Sequence, residues 1–107
     1  MTASDPVIVT AVFVPVPGQR DELVRRLEPS IREVHDEDGC LLYAIHDAPD
    51  GSIVMIEKWA SEQLLDAHSQ GGPVDRLSAA IADVIAAPVQ VTRLRPIPAG
   101  TPEQGAL

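Results

Sequence analysis

At 107 residues the chain has room for one domain with a single modest core. Its formal charge of −8 argues against a nucleic-acid partner, whose phosphates need a basic patch, and against anionic membrane surfaces. Hydrophobic residues make up 45% of the chain but aromatic ones only 3%, so Val, Leu, Ile and Ala must build the core.

Residues 1–6 are polar and expected to fray. Val7 to Val14 reads as a strand, β-branched and apolar on both alternating sets, the pattern of a strand covered on two faces. Pro15 and Pro17 remove ladder donors, and Gly18 completes a turn. From Gln19 to His35, Leu23, Leu27, Ile31 and Val34 recur at helical spacing, and Pro29 inside that stripe predicts a kink rather than a break. His35 followed by Asp36-Glu37-Asp38 reads as a solvated helix end, and Gly39 as its left-handed terminator.

Cys40 to His46 and Ile53 to Trp59 then form a hairpin around Ala48-Pro49-Asp50-Gly51-Ser52. Ser61 caps a short helix carrying His68, and Gly71-Gly72-Pro73 separates it from another with Leu77, Ile81, Val84 and Ile85 as its stripe. Val89 to Arg95 is the last strand. Residues 7–97 form the domain, and 98–107, rich in Pro and Gly, a flexible tail.

The order β-α-β-β-α-β predicts an α+β, ferredoxin-like fold with helices on one face of a four-stranded antiparallel sheet. The strands are apolar on both sides, so the bare face is expected to bury itself against a second copy as a homodimer. Cys40 is alone, which excludes an internal disulfide and a cysteine metal cluster. No apolar run approaches the roughly 20 residues that span a bilayer and no leader is evident, so a cytoplasmic protein is expected.

His68 lies two turns into its helix beside Leu64 and Leu65, near the face that should meet the sheet. There it could act as a general base, or simply bond a backbone carbonyl near Gly71-Gly72. Glu57 and Trp59 share one face of their strand. Trp59 could wall an aromatic pocket or be ordinary core; Glu57 could accept a substrate hydrogen bond or pair with Arg93 or Arg95. Tyr43 shares a face with Leu41 and Ile45, whereas His46 points the other way, so one pocket cannot take both by direct projection. His46 is the second candidate base. Its neighbours Asp47 and Asp50 make a weak case for metal, because no second ligand stands at metal spacing.

The segments Gly39-Cys40-Leu41-Leu42-Tyr43 and Glu57-Lys58-Trp59-Ala60-Ser61, with His68 and the Pro17-Gly18 turn, resemble the antibiotic biosynthesis monooxygenase family. The likeness runs from about Val7 to Arg95 and is greatest to the small quinol-monooxygenase-like members. It implies a dimeric α/β barrel of two ferredoxin-like protomers. It also implies oxidation of a phenolic, quinol or polyketide-like substrate by O2 with no flavin, haem or metal cofactor. In that setting His68, or else His46, is the base, and Tyr43, Glu57, Trp59 and Leu64 line the substrate site. The family's haem-degrading branch has Asn, Trp and His where this chain aligns Ala11, His68 and Ser78, so the resemblance points away from haem. Two other readings compete. One is a non-catalytic dimeric module binding a small apolar ligand; the other is an isomerase or dehydratase on the same barrel. An open cleft reaching His68 favours an enzyme, and oxygen dependence separates oxidation from isomerisation.

Overall fold

A computed structural model describes residues 5–107; of the leader 1–6 expected to fray, residues 1–4 lie outside them. Along β1 (Val7–Phe13) from Val9 onward, and along β3 (Ile53–Trp59), buried residues alternate with partly exposed ones, as a sheet covered by helices on one side requires. With β2 (Cys40–Asp47) and β4 (Gln90–Leu94) they form a four-stranded antiparallel sheet in the order β2-β3-β1-β4. Three helices accompany it: α1 (Arg20–His35), α2 (Glu62–Ser69) and α3 (Gly72–Ile81). This is the expected α+β, ferredoxin-like arrangement. None of the helices is long and apolar enough to cross a membrane.

Helix α1 buries Leu23, Leu27, Ile31 and Val34 and runs unbroken past Pro29, which faces outward. Its last turn is tied to the sheet by His35, whose Nε2 lies 3.0 Å from the Tyr43 carbonyl, so the exposed helix end also holds a strand. Gly39 follows with φ +82, and a Cβ there would come within 2.5 Å of the Leu64 side chain. Only glycine meets both demands without strain. Ser61 caps α2 as expected, its hydroxyl accepting from the Leu64 N–H at 3.2 Å.

Two expectations fail for identifiable reasons. Helix α3 ends at Ile81 rather than running on through Val84 and Ile85. The chain there pairs with the residues after β1: Val16 N–H donates to the Val84 carbonyl at 2.9 Å and Ala86 N–H to that of Val14 at 2.7 Å. In β2 a bulge intervenes, Cys40 opposing Trp59 while Leu42 opposes Lys58. Leu41 is the extra residue and is 58% exposed, so it does not share the buried face of Tyr43. Beyond β4 the tail forms a turn closed on itself, Gly105 N–H donating to the Thr101 carbonyl at 2.8 Å.

Candidate active site

The helix-facing side of the sheet presents its residues in rows. Tyr43 stands opposite Glu57, Glu57 opposite Val9, and Val9 opposite Arg93. The next row, Ile45, Met55, Ala11 and Val91, is apolar, and Phe13 lies one row further. Between these rows and helices α2 and α3 opens a cleft of about 440 Å³, in the range of small-molecule sites. Leu65, Leu77 and Ile81 line its helical side, and Arg93, Ser69 and Ser78 add polar atoms. The wall is thus polar at the Tyr43–Glu57 end and apolar along the roughly 13 Å of β1 from Val9 to Phe13.

His68 enters from α2, whose Leu65 and His68 are its buried residues. The ring is only 5% exposed. Its Nδ1 lies 2.9 Å from Glu37 Oε2 in the turn after α1. A carboxylate can only accept there, which places a proton on Nδ1; in the neutral ring the lone pair is then on Nε2. The ring stacks at 4.4 Å and 31° on Trp59 and meets Tyr43 edge-on at 5.6 Å. Trp59 in turn donates its Nε1–H to Glu57 Oε1 at 2.9 Å. No fully buried side-chain nitrogen or oxygen among the described residues lacks a partner. Among the described residues His68 Nε2, Glu57 Oε2 and the Tyr43 hydroxyl have no protein hydrogen-bond partner, and all three residues line the cleft.

Burial dominates the electrostatics. It pushes the Glu57 carboxyl above the usual range, opposed in part by the Trp59 hydrogen bond and by His68 and Arg93. Burial also raises the Tyr43 hydroxyl, helped by Glu57 and Glu37, so Tyr43 stays a neutral donor. The Cys40 thiol is likewise raised by burial and the same two carboxylates, which keeps it un-ionised and poorly nucleophilic.

The raised Glu57 carboxyl carries a prediction with a definite sign. Its contribution to stability is present below the unfolded carboxyl's pKa and is lost as pH rises through the higher folded value. Glu57→Gln keeps an acceptor for Trp59 and removes the titration. Urea denaturation is therefore expected to show the variant gaining on the parent chain between pH 4 and pH 8. A stability difference constant across that window would contradict the assignment.

Of the residues anticipated from sequence, Tyr43, Glu57 and His68 converge on the cleft. Trp59 backs them from full burial without lining it. Leu64 packs instead at Gly39. His46 lies on the opposite sheet face, its Nδ1 3.1 Å from the Val54 carbonyl. The acids beside it are engaged elsewhere, Asp47 by Arg20 at 2.6 Å and Asp50 by Ser52 at 2.6 Å. Arg93 does not reach Glu57 with a hydrogen bond; its Nη1 donates to Asp66 at 2.7 Å near the rim. The partner that sequence reasoning missed is Glu37, which spacing does not mark because it lies 31 residues from His68.

Residues 6–80 match the sequence family described as Antibiotic biosynthesis monooxygenase. A Mycobacterium tuberculosis protein named "Putative monooxygenase Rv0793" is 33% identical over 95 residues, covering 88% of this chain and 94% of that one. The solved structure of Rv0793 matches with a TM-score of 0.80 at 32% identity, over 91% of this chain and 100% of the other. A structure from Caulobacter crescentus CB15 shares the fold, with a TM-score of 0.80 at 20% identity over 89% of this chain and 92% of its own. The row of Tyr43 and Glu57, the Trp59–Ser61 junction and His68 are thus set in a familiar frame: the chain belongs to the antibiotic biosynthesis monooxygenase family.

Proposed function

We propose that this protein is a cofactor-independent monooxygenase that oxidises a phenolic or quinol-type ring with O2, His68 serving as the base. The observation that carries the reading is His68, which lines a largely apolar cleft with its Nδ1 held by the Glu37 carboxylate and, among the described residues, no hydrogen-bond partner on Nε2. The names carried by the relatives point to the same reaction class. An open cleft at His68 favours an enzyme over a scaffold whose core side chains would fill that space.

In this reading the phenolic ring sits at the polar row and any apolar extension runs along β1 toward Phe13. His68 Nε2 takes the hydroxyl proton, and the phenolate gives one electron to O2, leaving a phenoxyl radical and superoxide. The pair recombines at a ring carbon as a peroxide anion, which takes the proton back from the imidazolium. Loss of the ring C–H proton to Nε2 and heterolysis of the O–O bond then give the quinone and hydroxide. Hydroxide recovers that proton as water, so one oxygen atom stays in the product and one leaves. The cleft supplies orientation and a dry setting, and the neutral Tyr43 hydroxyl a donor for the oxyanions.

Two copies are proposed to pair through the sheet face opposite the helices, where Leu42 is 36% and Leu94 43% exposed. The test is O2 uptake with phenols and quinols of increasing size in chelator-treated buffer, with ¹⁸O₂ to trace the atom retained. One ¹⁸O per product and no turnover under argon are expected. Turnover that continues without O2 would point to an isomerase, and binding with no turnover to a carrier module. Sedimentation at micromolar protein is expected to give twice the 11.4 kDa chain mass; a monomer would sink the pairing.

A further inference from the structure

We propose that Glu37 is the positioning residue of His68: its carboxylate holds the ring in the Nδ1–H form and keeps Nε2 toward the cleft. The inference rests on His68 being the base. Three observations carry it. Among the described residues Glu37 is the sole side-chain hydrogen-bond partner of the His68 ring, at 2.9 Å. Of the three consecutive acids Asp36, Glu37 and Asp38, the two flanking residues are exposed while Glu37 is turned inward, its side chain 19% exposed. The remaining acid near the ring, Glu57, spends one oxygen on the Trp59 indole.

The turn that carries Glu37 is held on both sides. Glu37 N–H donates to the Val34 carbonyl at 2.9 Å, Cys40 N–H to the Glu37 carbonyl at 3.2 Å, and Ala60 N–H to the Gly39 carbonyl at 2.9 Å. Gly39, with no side chain, lets Leu64 of α2 press against this turn. One helical turn beyond Leu64 the chain reaches His68, so the approach of α2 brings the imidazole within reach of the Glu37 carboxylate. A surface acid kept for solubility alone would not be brought in against a buried ring.

Chemically, the carboxylate never takes the proton. When Nε2 accepts the phenolic proton, Nδ1–H stays on Glu37 and the anionic carboxylate stabilises the imidazolium. When the proton leaves again, the ring returns to the tautomer it started from. Without Glu37 the ring could instead place its proton on Nε2 and present a donor where a base is needed.

The experiment reads the tautomer directly, by ¹⁵N NMR of His68 in the ligand-free protein. The parent chain is expected to show a protonated Nδ1 and an unprotonated Nε2. Glu37→Leu, which removes the acceptor, is expected to shift the population toward Nε2–H, and Glu37→Asp to retain much of the parent pattern. O2-dependent kcat is expected to fall roughly 10- to 100-fold in Glu37→Leu while KM changes little, a size common when a residue that orients a reacting group is lost. Glu37→Gln keeps the size of the side chain but loses the charge and exchanges one acceptor oxygen for an NH2 donor, so it tests the carboxylate if the leucine variant does not fold. An unchanged tautomer in Glu37→Leu, or a moved tautomer with unchanged kcat, would overturn the assignment. If no phenol supports O2 uptake while the tautomer still follows Glu37, the reaction assignment falls and the hold on the ring stands.

Discussion

Replacing His68 with alanine is expected to lower O2-dependent turnover by about 10²- to 10⁴-fold, the range of a positioned general base. The phenol must lose its proton before it can reduce O2, and among the cleft-lining residues His68 is the one imidazole, the side chain suited to take it. The Tyr43 hydroxyl is pushed toward staying protonated, and Glu57 spends one oxygen on the Trp59 indole. The alanine variant also removes a ring stacked at 4.4 Å on Trp59, so a fold check by circular dichroism belongs beside the rate. His68→Gln refills most of that space without supplying a base and is expected to be equally slow. Added imidazole is expected to restore part of the alanine variant's rate by entering the vacated site and to do nothing for the glutamine variant. Parent-like rates in both variants would remove His68 from the mechanism.

The largest effect on stability is expected at Trp59. Its side chain is fully buried at the junction of β3 and α2, against Tyr43 and His68. Trp59→Ala is expected to cost about 3–5 kcal/mol from lost burial and the cavity left behind. The loss has a second part, because Glu57 Oε1 would remain in an apolar setting without its indole donor. Against the roughly 5–15 kcal/mol that holds a small domain folded, this is a substantial fraction. Trp59→Phe keeps most of the ring and is expected to lose markedly less. Urea denaturation monitored by circular dichroism measures both. A loss below about 1 kcal/mol in the alanine variant would contradict the packing described.

The parts of the fold that follow local rules were legible in the residues. The Asp50-Gly51 turn, the Ser61 cap and the stripe Leu23–Leu27–Ile31–Val34 each depend on neighbours a few positions away. Strand alternation and helical spacing made Tyr43, Glu57 and His68 candidates, but they did not choose between the opposite faces of Tyr43 and His46 or decide whether Glu57 faces a cleft or an arginine. The features that escaped depend on contacts made across the chain. Glu37 reads as one of three solvent-facing acids until α2 closes against its turn. Leu41 looks inward by alternation until the bulge displaces it. Val84 and Ile85 fit the helical stripe of α3, yet the backbone of Val84 and Ala86 pairs with Val16 and Val14. His46 and Leu64 looked suitable by residue type and neighbourhood, but the folded sheet and the Gly39 contact direct them elsewhere.

The single-residue alternation along β3 has a consequence for how this protein can vary. Moving that strand by one position relative to its neighbours would swap Lys58 into the chamber for Glu57 and turn the indole outward. The acidic character of the chamber is therefore a matter of odd and even counting. Insertions and deletions inside the strand preserve it only two at a time, whereas the loop from Ala48 to Ser52 is free to change length.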